Sequence, residues 1–442
     1  MSANIRRFPR SAWPEAALRE SFDLTPRRHS HHAFAGAATL ALASLAPCLA
    51  NAQQTSGPVT VGGASQPLTI GIQERTTYDT NVARGTDQAV TLRGLDDGAD
   101  VIYAPSITVN YSSGIPRQGL ALRGYFGYDY YQKNKQLRRE QIDFSAAGNT
   151  AIGSRCFAGG QVAFDRGQSG LEDLTLLVTK NTIQTYTVSA SESCASGTGL
   201  TESIQVNHSA TTNTAPLLIN FDTTGVSASV GYANRAIGNV SVVAAYSKTS
   251  YDNPVGALPG TPDSLSVTSI GAQISRPIGS RLAGTAAIYY STSDSNLGAG
   301  ALPGQGSSFN GITANAGLTY HVGPRLNLAA NISRAVQPSI RQGVGYALTD
   351  QVGLTASYTV SSRISANLGG NWSRQSFRGD DPLVPQLAPD KVDLKTVFAG
   401  VSVKLGRNSA LSADVNHEES STDLALFNFK SDRVSLTIST SF

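Results

Sequence analysis

Charge is scarce in this chain. Asp, Glu, Lys and Arg make up 15% of its 442 residues, against about 25% in soluble domains. Methionine occurs once. Beyond residue 52 no unbroken apolar run approaches the roughly 20 residues that a spanning helix requires. A helical membrane protein is therefore excluded, and a soluble α/β fold is disfavoured. Catalytic signatures are missing too: there is no G-x-S-x-G, no H-E-x-x-H and no C-x-x-C. Of six histidines, His29, His31 and His32 precede residue 52, and His208, His321 and His417 are scattered. Neither an enzyme nor a cofactor or metal is expected, and the three remaining histidines are expected at the surface or rim.

What is present is β-rich. Hydrophobic residues reach 40%, glycine 43, and Ser, Thr and Asn are abundant, a composition poor in strong helix formers. Residues 1–52 read as a signal peptide. Arg27 and Arg28 precede an apolar stretch from Ala33 to Leu49, and Ala50-Asn51-Ala52 has the small-x-small form of a cleavage site. Cleavage is predicted before Gln53; Pro47 beside Cys48 disfavours lipidation. The leader carries Arg6, Arg7, Arg10, Arg19, Arg27 and Arg28 against Glu15, Glu20 and Asp23. Without it acid and base balance, so no nucleic-acid partner follows from charge.

After a short segment, 53–66, the region 67–442 is a train of alternating strands. Val101, Tyr103, Ile107, Val109 and Tyr111 share one face, with Ser106, Thr108 and Asn110 opposite. The pattern recurs through Ile364-Ala366-Leu368-Trp372, and the off-face stays small and polar. Short turns near Ile115, Ser154, Ala195, Ala236, Ile278, Gly323, Ser362 and Gly406 alternate with long connections such as Asp79–Asp100, Gln337–Thr349 and Gly379–Lys391. That layout predicts an all-β, antiparallel, up-and-down transmembrane barrel of about 18 strands, with 16 equally defensible. Asp393–Lys404 alternates poorly, which predicts a bulge there. Leu68–Tyr78 is the expected partner of the last strand, since lipid tolerates no open sheet edge.

Aromatics cluster at strand ends. Tyr111, Tyr232, Tyr320 and Tyr358 fall near short turns, and Tyr130, Tyr246, Tyr290 and Trp372 fall near long loops, predicting two interfacial girdles. Arg123, Asp129, Asp143, Asp165 and Asp414 are expected to face a hydrated lumen of no net sign. Asp380-Asp381 and Glu418-Glu419 read as solvated loop-end carboxylates or divalent-ion holders. Cys156 and Cys194 come into register if their strands pair, which predicts a disulfide at the periplasmic rim rather than two free thiols.

Two resemblances follow from particular residues. The terminal strand, with Val434, Leu436, Ile438 and Phe442 on one face, resembles the closing strand and assembly signal of bacterial outer-membrane β-barrels. Tyr78-Asp79-Thr80-Asn81-Val82-Ala83-Arg84 resembles the Y-D-x-N-hydrophobic-x-R element of β-barrel porins associated with exopolysaccharide biosynthesis and export, with Ala83 standing where that family often has Phe or Tyr. Read physically, the same residues form an Asx-type turn closing a strand. The resemblance implies a Gram-negative cell-envelope protein of the outer membrane, a passive pore or accessory conduit for exopolysaccharide export. It implies outer-membrane lipid and lipopolysaccharide, the barrel assembly machinery and polysaccharide export components as partners. The alternative is a structural or adhesive barrel whose lumen is plugged.

Overall fold

The computed structural model describes residues 68–113, 118–169, 180–215, 218–252, 262–297, 308–341, 344–378 and 389–442. The leader, its cleavage site, the 53–66 segment and Asp380-Asp381 lie outside these residues.

Eighteen strands follow one another: β1 (Leu68–Asp79), β2 (Asp100–Ser112), β3 (Gln118–Tyr131), β4 (Arg139–Ile152), β5 (Cys156–Gln168), β6 (Thr182–Ala195), β7 (Leu200–Asn213), β8 (Asn220–Asn234) and β9 (Gly238–Asp252). The second half comprises β10 (Pro262–Ile278), β11 (Leu282–Leu297), β12 (Ser308–Val322), β13 (Leu326–Gln337), β14 (Tyr346–Thr359), β15 (Ile364–Arg378), β16 (Lys391–Lys404), β17 (Ser409–Thr422) and β18 (Phe429–Ser441). A short helix, α1 (Asp87–Leu92), lies in the β1–β2 connection. No described helix is long and apolar enough to cross a membrane.

Each strand pairs antiparallel with its neighbours in sequence, and β1 also pairs with β18, so the sheet closes on itself. The seam runs from Asp79↔Arg433 to Gly71↔Ser441 and is extended by Phe442 N–H donating to Ile70 O at 2.8 Å. Closure satisfies the backbone groups that an edge would leave bare, each worth several kcal/mol in hydrocarbon.

Direct cross-strand partners share a face, so the register carries one face around the wall. Ile107, Phe126, Val242, Ile270, Ile288, Leu354, Leu368 and Leu436 stand on the outer face and are exposed. Their chain neighbours point inward and are mostly Ser, Thr, Asn, Gln and Gly. Glycine lets long inward side chains lie flat: a Cβ on Gly225 would sit 2.6 Å from Asn207 Oδ1, and one on Gly353 would collide with Asn331 Oδ1.

The bulge expected in Asp393–Lys404 does not exist. β16 pairs with both neighbours without a register shift. Its alternation looks broken because Val392, Leu394 and Phe398 turn inward while Lys391, Asp393 and Lys395 turn outward. Phe398 finds room over Gly369, whose Cβ would meet its ring. The described shift lies instead at Pro262/Ser264, at the long-loop end of β10.

Candidate functional site: the lumen, its seam and its mouth

The inward face divides into two arcs. From β6 to β15 the paired residues place no Asp, Glu, Lys or Arg inward among the described residues, apart from Asp263 at the register shift. Hydroxyls join neighbouring strands there: Ser269, Ser291 and Thr313 form a ladder at 2.7 and 2.6 Å. Ser203–Ser229 and Thr223–Thr249 are similar pairs at 2.7 and 2.9 Å. From β17 through β1 to β5 the wall instead carries Asp414, Glu418, Arg433, Arg75, Asp79, Arg123, Asp129, Arg139, Asp143 and Asp165.

The register thus places Arg123, Asp129, Asp143, Asp165 and Asp414 inward, all on the charged arc. Asp129 is buried and accepts from Arg139 Nε at 2.8 Å and Gln141 Nε2 at 2.7 Å, with Arg75 at 4.0 Å. Asp143 faces Asp165 directly across β4 and β5. Two carboxylates in that position repel unless solvent or Arg123 compensates them.

The seam is locked at its long-loop end by the Tyr78–Arg84 element. Asn81 N–H donates to Asp79 Oδ1 at 2.8 Å, which is the Asx turn. Asn81 Nδ2 reaches Gly85 O at 2.9 Å and Lys430 O at 3.2 Å. Arg84, the one described non-glycine residue with positive φ (49°), swings back to Asp79 at 2.9 Å and Glu418 at 3.7 Å. Glu418 also pairs with Arg433, and Ser431 Oγ donates to Asp79 Oδ1 at 2.7 Å. Tyr78 lies on the outer face, exposed. The network stitches β1 to β17 and β18 and carries the loop above them. Glu418 is therefore a buried ion-pair partner rather than a solvated loop-end carboxylate, while its neighbour Glu419 turns out to Lys430 at 3.2 Å.

Two connections fold over the inner wall at the mouth. The β1–β2 connection packs Val82, Ala83 and Leu95 against Tyr131 and Leu137, with Arg93 over the Phe427 ring. Asp100 organises the facing turn by accepting from the N–H groups of Lys133 and Asn134 at 3.0 and 2.8 Å. At the solvent edge Lys133 bonds Asp97 at 2.6 Å, which holds that carboxylate below its usual range and the ammonium above its own. The β13–β14 connection spans further. Ile219 N–H donates to Ile340 O at 3.0 Å, and Leu218 bridges to Arg341. Tyr251 Oη donates to Gly345 O at 3.2 Å. Arg341 reaches the other way, to Pro389 O at 2.8 Å and over the Phe377 ring at 3.8 Å. This segment ties the β8–β9 wall to the β15–β16 connection, around an apolar cluster that includes Phe221, Tyr251, Leu265, Ile340 and Leu348. The sequence reading missed it. The available signal was Phe221, Tyr251, Phe309 and Phe377, aromatics out of phase with the outer apolar face and close to long connections.

The eight girdle residues, Tyr111, Tyr130, Tyr232, Tyr246, Tyr290, Tyr320, Tyr358 and Trp372, all share the outer face by register; Tyr111 and Trp372 are half-buried and the others exposed. Cys156 and Cys194 are direct partners on that face and are joined, S–S 2.09 Å. Val434, Leu436 and Ile438 point outward on β18. His208 and His417 face out, beside Thr224 at 3.0 Å and Asp432 at 2.7 Å, and His321 faces in beside Asn327. They are far apart and assemble no site together.

The sequence profile of the family described as "Putative beta-barrel porin 2" matches residues 72–442. The chain belongs to that family. It is a porin-like outer-membrane β-barrel. None of the curated proteins matches it. Among solved structures it is similar to the siderophore receptor PirA from Pseudomonas aeruginosa, at TM-score 0.38 and 9% identity over 86% of this chain and 81% of that one. It is similar to the alcaligin outer-membrane receptor FauA from Bordetella pertussis, at TM-score 0.36 and 10% identity over 84% and 76%. It is also similar to OccK2 (OpdF) of Pseudomonas aeruginosa, solved with glucuronate, at TM-score 0.42 and 10% identity over 85% and 98%. What those proteins bind is a statement about them.

Proposed function

We propose that this barrel is a passive outer-membrane pore or accessory conduit whose lumen suits uncharged, hydroxyl-rich solutes, and that it serves exopolysaccharide export. The observation that carries the reading is the uncharged arc from β6 to β15. Hydroxyl and amide side chains exchange hydrogen bonds with water or a sugar at little net cost, and no fixed charge on that wall holds or repels a neutral polymer. The seam element, similar to that of porins linked to polysaccharide secretion, supports the biological setting. Periplasmic short turns, outward-facing long loops, a cleaved leader and two aromatic girdles complete the proposal. Its partners are outer-membrane lipid and lipopolysaccharide, the barrel assembly machinery and components of a polysaccharide export system. The proposal includes no enzymatic step.

The two loop packings at the mouth favour a second reading, a barrel plugged by its β1–β2 and β13–β14 connections. Single-channel recording in planar bilayers separates them. A stable open conductance of the intact chain supports the conduit, and silence that gives way to conductance when 338–345 is deleted supports the plug. For the biological role, a deletion strain should secrete less exopolysaccharide; unchanged secretion removes that assignment and leaves the pore.

A further inference from the structure

The outer wall carries a depression of about 730 Å³ between β9 and β15. Its floor is two adjacent register rows. One runs Val240–Ile274–Ala286–Ala316–Ile332–Val352–Trp372, and the other Ala272–Ile288–Ala314–Arg334–Asp350. Alanines at its centre, where flanking positions carry Ile, Val or Trp, make the wall concave. Strands lie about 4.8 Å apart, so a path across these seven runs on the order of 30 Å. It starts near short turns beside Tyr232 and ends near long loops at Trp372.

The upper end is charged, on the same outward face. Arg334 pairs with Asp350 at 3.6 Å, Arg374 with Asp393 at 2.6 Å, and Lys391 lies 3.8 Å from Asp393. Lys395 stands in register between Trp372 and Glu419, whose own ion pair is with Lys430, and is itself in no ion pair among the described residues. Cations outnumber carboxylates in this group. On β8, β9 and β11 the corresponding outer ends show the reverse, with Asp222, Asp252 and Asp294 against Lys248. The Arg374 guanidinium sits 5.2 Å from the Trp372 ring centroid.

We propose that this surface binds a phosphorylated lipid of the outer leaflet, its acyl chains in the alanine-floored depression and its phosphate on Arg374, Lys395 and Arg334. The claim rests on the reading above that this face meets outer-membrane lipid and gives that partner a site; it does not depend on conduction, which concerns the opposite face. Charge complementarity selects the occupant. A phosphate takes up the cationic excess, and guanidinium–phosphate contacts are charge-assisted and bidentate. A second copy of the chain would have to bury both Arg–Asp pairs, whose lost hydration their mutual attraction rarely repays.

Trp372 is the built-in reporter, because the only other tryptophan is Trp13. A Trp13→Phe chain, folded in detergent, is titrated with diphosphoryl lipid A and with a phosphate-free glycolipid of matched acyl chains. The expected result is a saturable change in Trp372 emission with the diphosphoryl lipid, weakened about a hundredfold by Arg374→Ala/Lys395→Ala, the value of two charged hydrogen bonds. Ala286→Phe/Ala316→Phe, which fills the floor, should weaken binding while leaving the cations in place. Heat-modifiable migration on gels confirms that each variant still forms a barrel. Equal affinity for the phosphate-free lipid overturns the proposal, and so does retained affinity in Arg374→Ala/Lys395→Ala. Efficient Ala316→Cys cross-linking between copies in the membrane also overturns it. Channel conductance reads the lumen alone, so it fails or holds separately from this claim.

Discussion

The two arcs of the inner wall use polarity differently. On β17, β18 and β1 the charges are buried, paired and multiply bonded: Arg84 and Arg433 converge on Glu418, and Asp79 is held by Arg84, Ser431 and Asn81. On β6 to β15 polarity is spread as single hydroxyl contacts such as Ser269–Ser291–Thr313. The first arrangement fixes geometry, since each group depends on the others. The second leaves the wall wettable and adaptable, because each hydroxyl trades one partner for water at little cost. The barrel concentrates rigid polarity where the sheet closes and leaves exchangeable polarity facing most of the lumen. The disulfide joins the arcs at one boundary, linking β5, which carries Asp165 inward, to β6, which carries no inward charge.

The largest effect should come from breaking the rigid side. Glu418→Ala removes the carboxylate on which Arg84 and Arg433 converge, leaving Arg84 to Asp79 and Arg433 to Asn416, and should cost about 3 kcal/mol. The check is the temperature at which the folded barrel loses its compact migration on gels. The staple between the arcs comes next. Cys156→Ser should lower stability by about 2–4 kcal/mol, the usual range for a lost cross-link, measured by urea unfolding in detergent. Ser291→Ala on the exchangeable side should cost only about 1 kcal/mol; a loss matching that of Glu418→Ala would erase the contrast. Selectivity sharpens it from another direction. Asp143→Asn/Asp165→Asn should move the reversal potential in a salt gradient toward anions. Ser247→Asp, placed on the uncharged arc, should move it toward cations, each by severalfold in permeability ratio at about 1 kcal/mol per close charge in water.

Much of this was legible from residue order, for a specific reason. A two-residue period with lipid on one side and water on the other leaves a signature in every strand, so a barrel of 16 to 18 strands, the alternation of short turns with long connections and the closing pair β1–β18 follow from pattern alone, and the pairing fixes the count at 18. Register could be read for Cys156 and Cys194 because setting Val162 against Val188 and Phe164 against Tyr186 on the apolar face also sets the two cysteines opposite each other. The alternation rule failed at β16, where Val392, Leu394 and Phe398 serve the mouth and the lumen instead of lipid. It was equally blind to Arg341, Ile340 and Gly345, because the segment between β13 and β14 is positioned by contacts with β8, β9 and the β15–β16 connection. Nothing local in a loop announces a partner five or six strands away. The Tyr78–Arg84 element was visible as a motif, but its link to Glu418 and Arg433 required the closed sheet.

The central claim is that solvent fills the inner face and lipid covers the outer one. Single cysteines at Gln205 and Asn207, which face in on β7, and at Ile204 and Val206, which face out, test it in native membranes with a charged, membrane-impermeant thiol reagent. The inward pair should label rapidly and the outward pair should stay protected until the membrane is dissolved. Labelling of Ile204→Cys and Val206→Cys in intact membranes, or protection of all four positions, would contradict the account.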